Sequence, residues 1–378
     1  YFEIMANYQH YNIQKFLNLE RISLGIVGVV PADLKFHLPI AFTYVLLVGQ
    51  VMASTYYGLY SKDLTEFSAS FMITITHVNT IYKVTSVLLR PMSILDREIG
   101  KPIFTLIEDD EMSIFTKTLA ACQKFLTIYL VTIIGACTFF GVSPLVVHYQ
   151  TKEKNYSTLA KFPFNPDDYY YYTLFGEHFV ATLSALCNGC VDRLFAKHVA
   201  IASGLLEILR HRIKHIMDDY DQNMIEAKMK HCVLYYNEVI GYAKEIEIQF
   251  SFGILFQFLC SCLVICLTQF QFLVTTSSGT LGLLFSYLAC MLTQISIYCW
   301  YGHQLMEESD SISMEFYNLN WLDMSVRNQK TMLTSKERAK NPITLKASGV
   351  FKLNLTTLMT ILRASYSCFA VLHQIYTK

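Results

Sequence analysis

The sequence predicts an all-α membrane protein with seven transmembrane helices, N-terminus cytoplasmic and C-terminus extracellular, and a cytoplasmic helical anchor region. Three observations carry this reading. Of the 378 residues 53% are hydrophobic and 16% charged, against roughly one-quarter charged in an average soluble domain. Several stretches reach the about 20 apolar residues that cross a hydrocarbon core. Basic residues crowd alternate connections between those stretches, and such an excess marks the cytoplasmic side.

In chain order, Phe36 to Tyr60 contains no Asp, Glu, Lys or Arg and makes the first span. Phe67 to Leu89 makes the second, with Lys83 expected to snorkel to the headgroups. Phe125 to Thr151, uncharged, is the third, and Tyr169 to Val191, weakened by Glu177, is the fourth. Ile248 to Met306 is uncharged throughout and broken only by the turn-like TTSSGT at Thr275 to Thr280, which gives the fifth and sixth spans. Ala347 to Tyr376, with Lys352 and Arg363, is the seventh and the most polar. The segments preceding spans one, three, five and seven carry three, five, eight and six basic residues, while the alternate segments carry one, three, none and one. The N-terminus is therefore expected inside and the C-terminus outside, which requires seven crossings.

The organisation follows: residues 1–200 hold the N-terminal cytoplasmic segment and spans one to four, 201–247 cytoplasmic anchor helices, 248–306 spans five and six, 307–346 a cytoplasmic anchor segment, and 347–378 a closing span. Leu205, Leu206, Leu209, Ile213, Ile216 and Met217 form one helical stripe, and Met229, Val233, Tyr236 and Ile240 a second. They are expected to pack on each other or on another subunit. The balance of 30 basic and 30 acidic residues leaves no net field for nucleic acid.

Candidate chemistry is sparse. The eleven cysteines fall outside the predicted outer loops and read as small apolar residues. CNGC at Cys187 to Cys190 lacks a second ligand pair, and His211 and His215, spaced i, i+4, lack the general-base Glu of a zinc motif. No metal, cofactor or catalytic residue is expected, nor an enzyme. Tyr169 to Tyr172 reads as an aromatic belt, and Glu108 to Glu111 as a solvated run. Asn155 in NYS is a glycosylation sequon in the loop that the charge count places outside. The reversed topology excludes a G-protein-coupled receptor, so VDRLF (Val191 to Phe195) and NPITL (Asn341 to Leu345) read as chance fragments.

QISIYCWYGHQLMEESDSISMEFYNLNW, Gln294 to Trp321, together with LKASGVFKLNLTTLMTILRASYSCFAVLHQIY, resembles the insect odorant receptor family over its sixth span and last helix. The coreceptor's long insertion between spans four and five is missing from Val199 to Glu247, so the chain resembles an odour-tuning subunit. The resemblance implies an odorant-gated nonselective cation channel in the plasma membrane of olfactory neuron dendrites, a heterotetramer with the odorant coreceptor around one cation-conducting pore. Span seven would line that pore, with Ser365 and Gln374 facing its water and Val371, Gln374 and Ile375 at the gate; their i, i+3, i+4 spacing puts them on one helical face. The odorant would sit among spans two, three, four and six, on faces offering Met72, Ile75, Thr76, Asn79, Ile134, Cys137, Thr138, Gly141, Phe179, Leu183, Leu284, Tyr287 and Met291. With no charge there, a neutral lipophilic volatile such as an ester or terpenoid is expected. The alternatives are a gustatory-type receptor channel, or a membrane scaffold or transporter, the latter needing paired intramembrane charges or repeats that the sequence does not display.

Overall fold

The computed structural model describes residues 2–26, 28, 37–106, 108–218, 221–275 and 278–376. Ten helices and one small hairpin follow in order: α1 (Phe2–Ile26), α2 (His37–Tyr60), α3 (Leu64–Leu89), α4 (Ser93–Ile99), α5 (Asp109–Thr151), α6 (Tyr170–Lys214), α7 (Gln222–Val274), α8 (Ser278–Asn318), α9 (Val326–Ala339), β1 (Lys346–Ala347), β2 (Phe351–Lys352) and α10 (Leu355–Tyr376). Six of them, α2, α5, α6, α7, α8 and α10, are long and apolar enough to cross a membrane. The seventh is α3, whose composition is diluted by polar residues turned inward: Ser68, Ser70, Thr74, His77, Asn79, Thr80 and Lys83 are all buried.

Helix starts follow local chemistry. Asp63 caps α3 by accepting the Thr65 amide at 3.0 Å, Asp221 caps α7 through Asn223, and Ser325 caps α9 through Asn328. At 53 residues α7 extends about 80 Å, far beyond a hydrocarbon core of about 30 Å. The divisions after residues 200, 247 and 306 therefore fall inside the unbroken helices α6, α7 and α8.

The protruding ends make one core. From Cys187 to Leu206 every residue of α6 is buried, because α1, α3, α5, α7 and α8 all pack around it. Leu205, Leu209, Ile213 and Ile216 meet Met229, Tyr235 and Val239 of α7 within the same chain. Partly buried charges tie this end together: Arg212 grips Glu111 through two bonds of 2.5 and 2.8 Å, and Arg210 reaches Glu308 at 3.0 Å. Lys101 bridges Glu238 and Glu98; although partial burial opposes its charge, the two carboxylates hold its ammonium above the usual lysine value.

The hairpin joins this anchor to the last helix. Three residues, 348–350, join the paired Ala347 and Phe351; Ser348 and Gly349 both have positive φ, 50° and 70°, and the Val350 amide closes the turn on the Ala347 carbonyl at 3.0 Å. Ser251 of α7 fixes it, donating to the Lys346 carbonyl at 3.0 Å and accepting the Ser348 amide at 2.5 Å. Beyond it α10 packs mainly on α7 and α8, leaving Tyr366, Val371 and Ile375 exposed.

Candidate functional site

Between α3, α5, α6 and α8, in the half of the bundle nearer the Lys152–Tyr169 connection, lies a cavity of about 590 Å³. Its walls are mostly apolar: Met72 and Ile73 from α3, Ile133 and Phe140 from α5, Ala181 and Ala185 from α6, Leu284 and Met291 from α8. A volume and lining of this kind suit a small, uncharged organic molecule.

The connection covers the cavity, and its attachment begins with a proline. Pro144 lies inside α5, where its missing N–H leaves the Phe140 carbonyl without the usual helical donor. Ser157 Oγ donates to that carbonyl at 3.1 Å. Glu177 of α6, 3% exposed, accepts the Ser157 amide at 3.2 Å and the Thr158 hydroxyl. Gln50 of α2 donates to Thr158 at 3.3 Å, and Ser70 of α3 to the Leu159 carbonyl at 3.2 Å. A single loop is thus held by four helices. The glutamate that weakens α6 as a span in sequence is one of its fasteners.

The opposite end of the cavity is a buried polar network. Asp192, fully buried, pairs with Lys83, which is also bonded to Asn188 at 2.6 Å. Tyr298 donates to the same carboxylate, Tyr129 does so at 3.1 Å and Gln294 at 2.5 Å. Gln294 accepts from Gln257 at 3.0 Å, and Gln257 accepts from Asn79 at 2.7 Å. Tyr129, Asn188 and Gln294 border the cavity as well. The expectation that Lys83 snorkels is overturned, because its nitrogen gains a carboxylate partner inside the bundle. Within VDRLF, a fragment whose likeness to a G-protein-coupled receptor motif is accidental, two residues have structural roles: Asp192 anchors this network, and Arg193 pairs at 2.7 Å with buried Glu20 of α1, which also takes Lys197 at 2.5 Å. A charge at membrane depth is tolerated when such partners surround it.

The expected ligand contacts divide by helix face. Met72, Thr76, Cys137, Leu284, Tyr287 and Met291 border the cavity, with the Thr76 and Tyr287 hydroxyls bonded to each other. Ile75 and Asn79 instead turn toward α7, Ile75 into a cluster with Cys260 and Val264. Leu183 packs into the main core, and Gly141 backs against the His178 ring. Ile134, Thr138 and Phe179 are exposed on the bundle's outer surface, Phe179 beside Phe175. On α5 the lining residue Ile133 sits one position before the exposed Ile134, a rotation of about 100°.

Val371, Gln374 and Ile375 lie together on the exposed face of α10. Ser365 does not: it is fully buried, bonded to the Ile361 carbonyl of its own helix on the side facing α7. Asn155 is exposed at the cavity rim, where its carbonyl accepts from Tyr170 at 3.0 Å. All eleven cysteines are free, and no cluster of three or more metal-ligating side chains occurs among the described residues.

A family model described as 7tm odorant receptor matches residues 63–366. This chain belongs to the 7tm odorant receptor family. The receptor is 20% identical to odorant receptor 94a of Drosophila melanogaster over 356 residues, 91% of this chain and 89% of that one. It is 23% identical to odorant receptor 85c of the same fly over 280 residues, covering 71% and 72%. In fold it is similar to the insect olfactory receptor OR5 from Machilis hrabei, solved in complex with eugenol: TM-score 0.84 at 15% identity, over 97% of this chain and 99% of that one. The odorant receptor is accordingly a multi-pass membrane receptor of seven helices rather than an enzyme. Sequence reasoning had missed two parts of this receptor, the Lys83–Asp192 network and the Pro144–Ser157 fastening. A lone charge in each of two spans, and a proline within a third, were the signals available for them.

Proposed function

We propose that this receptor is an odour-tuning subunit of an odorant-gated, nonselective cation channel, and that the cavity between α3, α5, α6 and α8 holds the odorant. The observation that carries the proposal is the cavity itself, about 590 Å³ of mostly apolar space bordered by a fastened loop, in a chain of the odorant receptor family. Met72, Ile133, Leu284 and Met291 supply the apolar walls and Tyr287 a polar tip, so the occupant is a neutral lipophilic volatile. The binding of eugenol by a protein of the same fold supports this class of ligand.

The pore belongs to α10. Val371, Gln374 and Ile375 share a face that is exposed among the described residues, and an exposed, largely apolar face of this kind calls for neighbouring subunits. Four subunits, this chain and the odorant coreceptor among them, would meet around that face, with Val371 and Ile375 as the apolar constriction and Gln374 as the polar ring. The charge asymmetry of the connections supports a cytoplasmic anchor end and Asn155 outside, where it would carry a glycan, in a receptor of the plasma membrane. Occupancy opens the channel to the extent that the odorant binds the open state more tightly than the closed one.

The test is odour-evoked current with and without the coreceptor, together with Met72→Trp to fill the cavity and Phe179→Ala to trim the outer surface. Met72→Trp should raise the effective concentration at least tenfold, and Phe179→Ala should leave it unchanged. Equal effects of the two would place the odorant elsewhere.

A further inference from the structure

Nearly every buried polar atom in the cavity wall is already engaged. Thr76 and Tyr287 are bonded to each other, Ser184 to Thr80 at 2.9 Å, and Asn188, Gln294 and Tyr129 belong to the Asp192 network. Gln271 donates to the Thr65 carbonyl at 2.7 Å and to Ser68 at 2.6 Å. One buried side-chain atom of the wall stands apart among the described residues: Nε2 of His77 has no hydrogen-bond partner.

The protonation of that ring follows from its other nitrogen. His77 Nδ1 lies 2.9 Å from the Ile73 carbonyl. A carbonyl can only accept, so Nδ1 carries the hydrogen and donates. His77 is 5% exposed, and among the described residues no carboxylate pairs with it. A second proton on Nε2 would leave a buried, unpaired N–H on a cation, far costlier than a neutral ring. Nε2 is therefore a lone-pair acceptor, fixed in its tautomer by the helix backbone and lacking a donor.

We propose that His77 Nε2 is a specificity-determining acceptor for the hydroxyl group of the odorant, so that this receptor is tuned to neutral alcohols or phenols over ethers and esters of the same shape. The inference rests on the cavity being the odorant site. An unpaired buried acceptor penalises the state in which it is unpaired, and a ligand O–H removes that penalty whereas an ether or ester oxygen, itself only an acceptor, adds to it. His77 borders the cavity while Nε2 itself is covered, so engagement includes a small adjustment of the ring, of the kind common on binding. The neighbouring wall supplies the apolar remainder of the site through Ile73, Ala181 and Ala185.

The experiment uses matched pairs that differ in the donor: 1-octanol and its isomer heptyl methyl ether, geraniol and geranyl methyl ether, eugenol and methyl eugenol. Each is measured by thermal stabilisation of the purified full-length subunit and by current in the receptor co-expressed with its coreceptor. Wild type should favour the alcohol in at least one pair by about tenfold. His77→Phe, which keeps the ring and removes the acceptor, should abolish that preference while the ether still binds, and His77→Gln, which restores an acceptor near the Nε2 position, should recover part of it. Ethers equal to alcohols throughout in wild type, no alcohol bound, or a preference that survives His77→Phe overturns the proposal. Met72→Trp separates the two readings: if it weakens both members of every pair, the cavity is the site whatever the preference, and if it changes neither, the site reading itself falls.

Discussion

Asp192→Ala is the most informative single change in the bundle. The Lys83 and Asp192 side chains are 1% and 0% exposed, so removing the carboxylate strands an ammonium where water cannot reach it. Breaking a buried pair by deleting one partner costs about 3–5 kcal/mol. Tyr298, Tyr129 and Gln294 lose an acceptor in the same step, each loss worth about 1–3 kcal/mol, although groups in one network do not add independently. Set against a total stability of about 5–15 kcal/mol for a folded domain, the change should remove most of the mature receptor. In a detergent-solubilised sample the melting temperature should fall by on the order of 10 °C, and surface labelling should drop in parallel. The second arm isolates the charge. Lys83→Met combined with Asp192→Leu exchanges the pair for apolar residues, which is often neutral or stabilising, and should recover a large part of the loss. A single variant that melts within about 2 °C of wild type, or a double variant no better than Asp192→Ala, would refute the view that this pair holds α3 to α6.

Other expectations concern the loop, the joint and the pore. Pro144→Ala supplies an N–H to the Phe140 carbonyl in competition with Ser157, and Glu177→Ala removes the acceptor of Thr158 and Ser157; each should speed current decay after odour removal several-fold, and unchanged decay in both would mean the loop does not govern exit. A Cβ at Gly302 would lie 2.5 Å from the Leu353 carbonyl oxygen, so Gly302→Ala should cost about 1–3 kcal/mol by overpacking and lower the maximal current, whereas Gly135→Ala, with nothing within 4 Å of the added atom, should do neither. Gln374→Glu and Gln374→Lys should move cation permeability ratios in opposite directions, with partial effect where only some subunits carry the change; ratios equal to wild type in both would take this residue out of the pore.

By itself the sequence determined the class of fold, the positions of the spans and the family, because these depend on quantities that accumulate along the chain. Stretches free of charge, such as Phe125 to Thr151, announce a solvent for the helix whatever it packs against. The QISIYCWYGHQLMEES and closing-helix motifs placed the protein without any contact being known. The tertiary structure decided which face of each helix looks where. Periodicity fixed the spacing of lining positions on α5 but not their phase, so Ile134 was expected inward where Ile133 is, and on α6 Phe179 was expected where Ala181 stands. It also decided the meaning of the charged residues. Lys83 and Glu177 counted against their spans while each was weighed alone, since a lone charge in hydrocarbon is costly, and Asp192 fell just beyond the end of the fourth. Across helices they stand opposite partners more than 15 residues distant in sequence, Asp192 for Lys83 and Thr158 for Glu177. The cost of burying a charge is set by what surrounds it in space, and only the folded bundle specifies those surroundings.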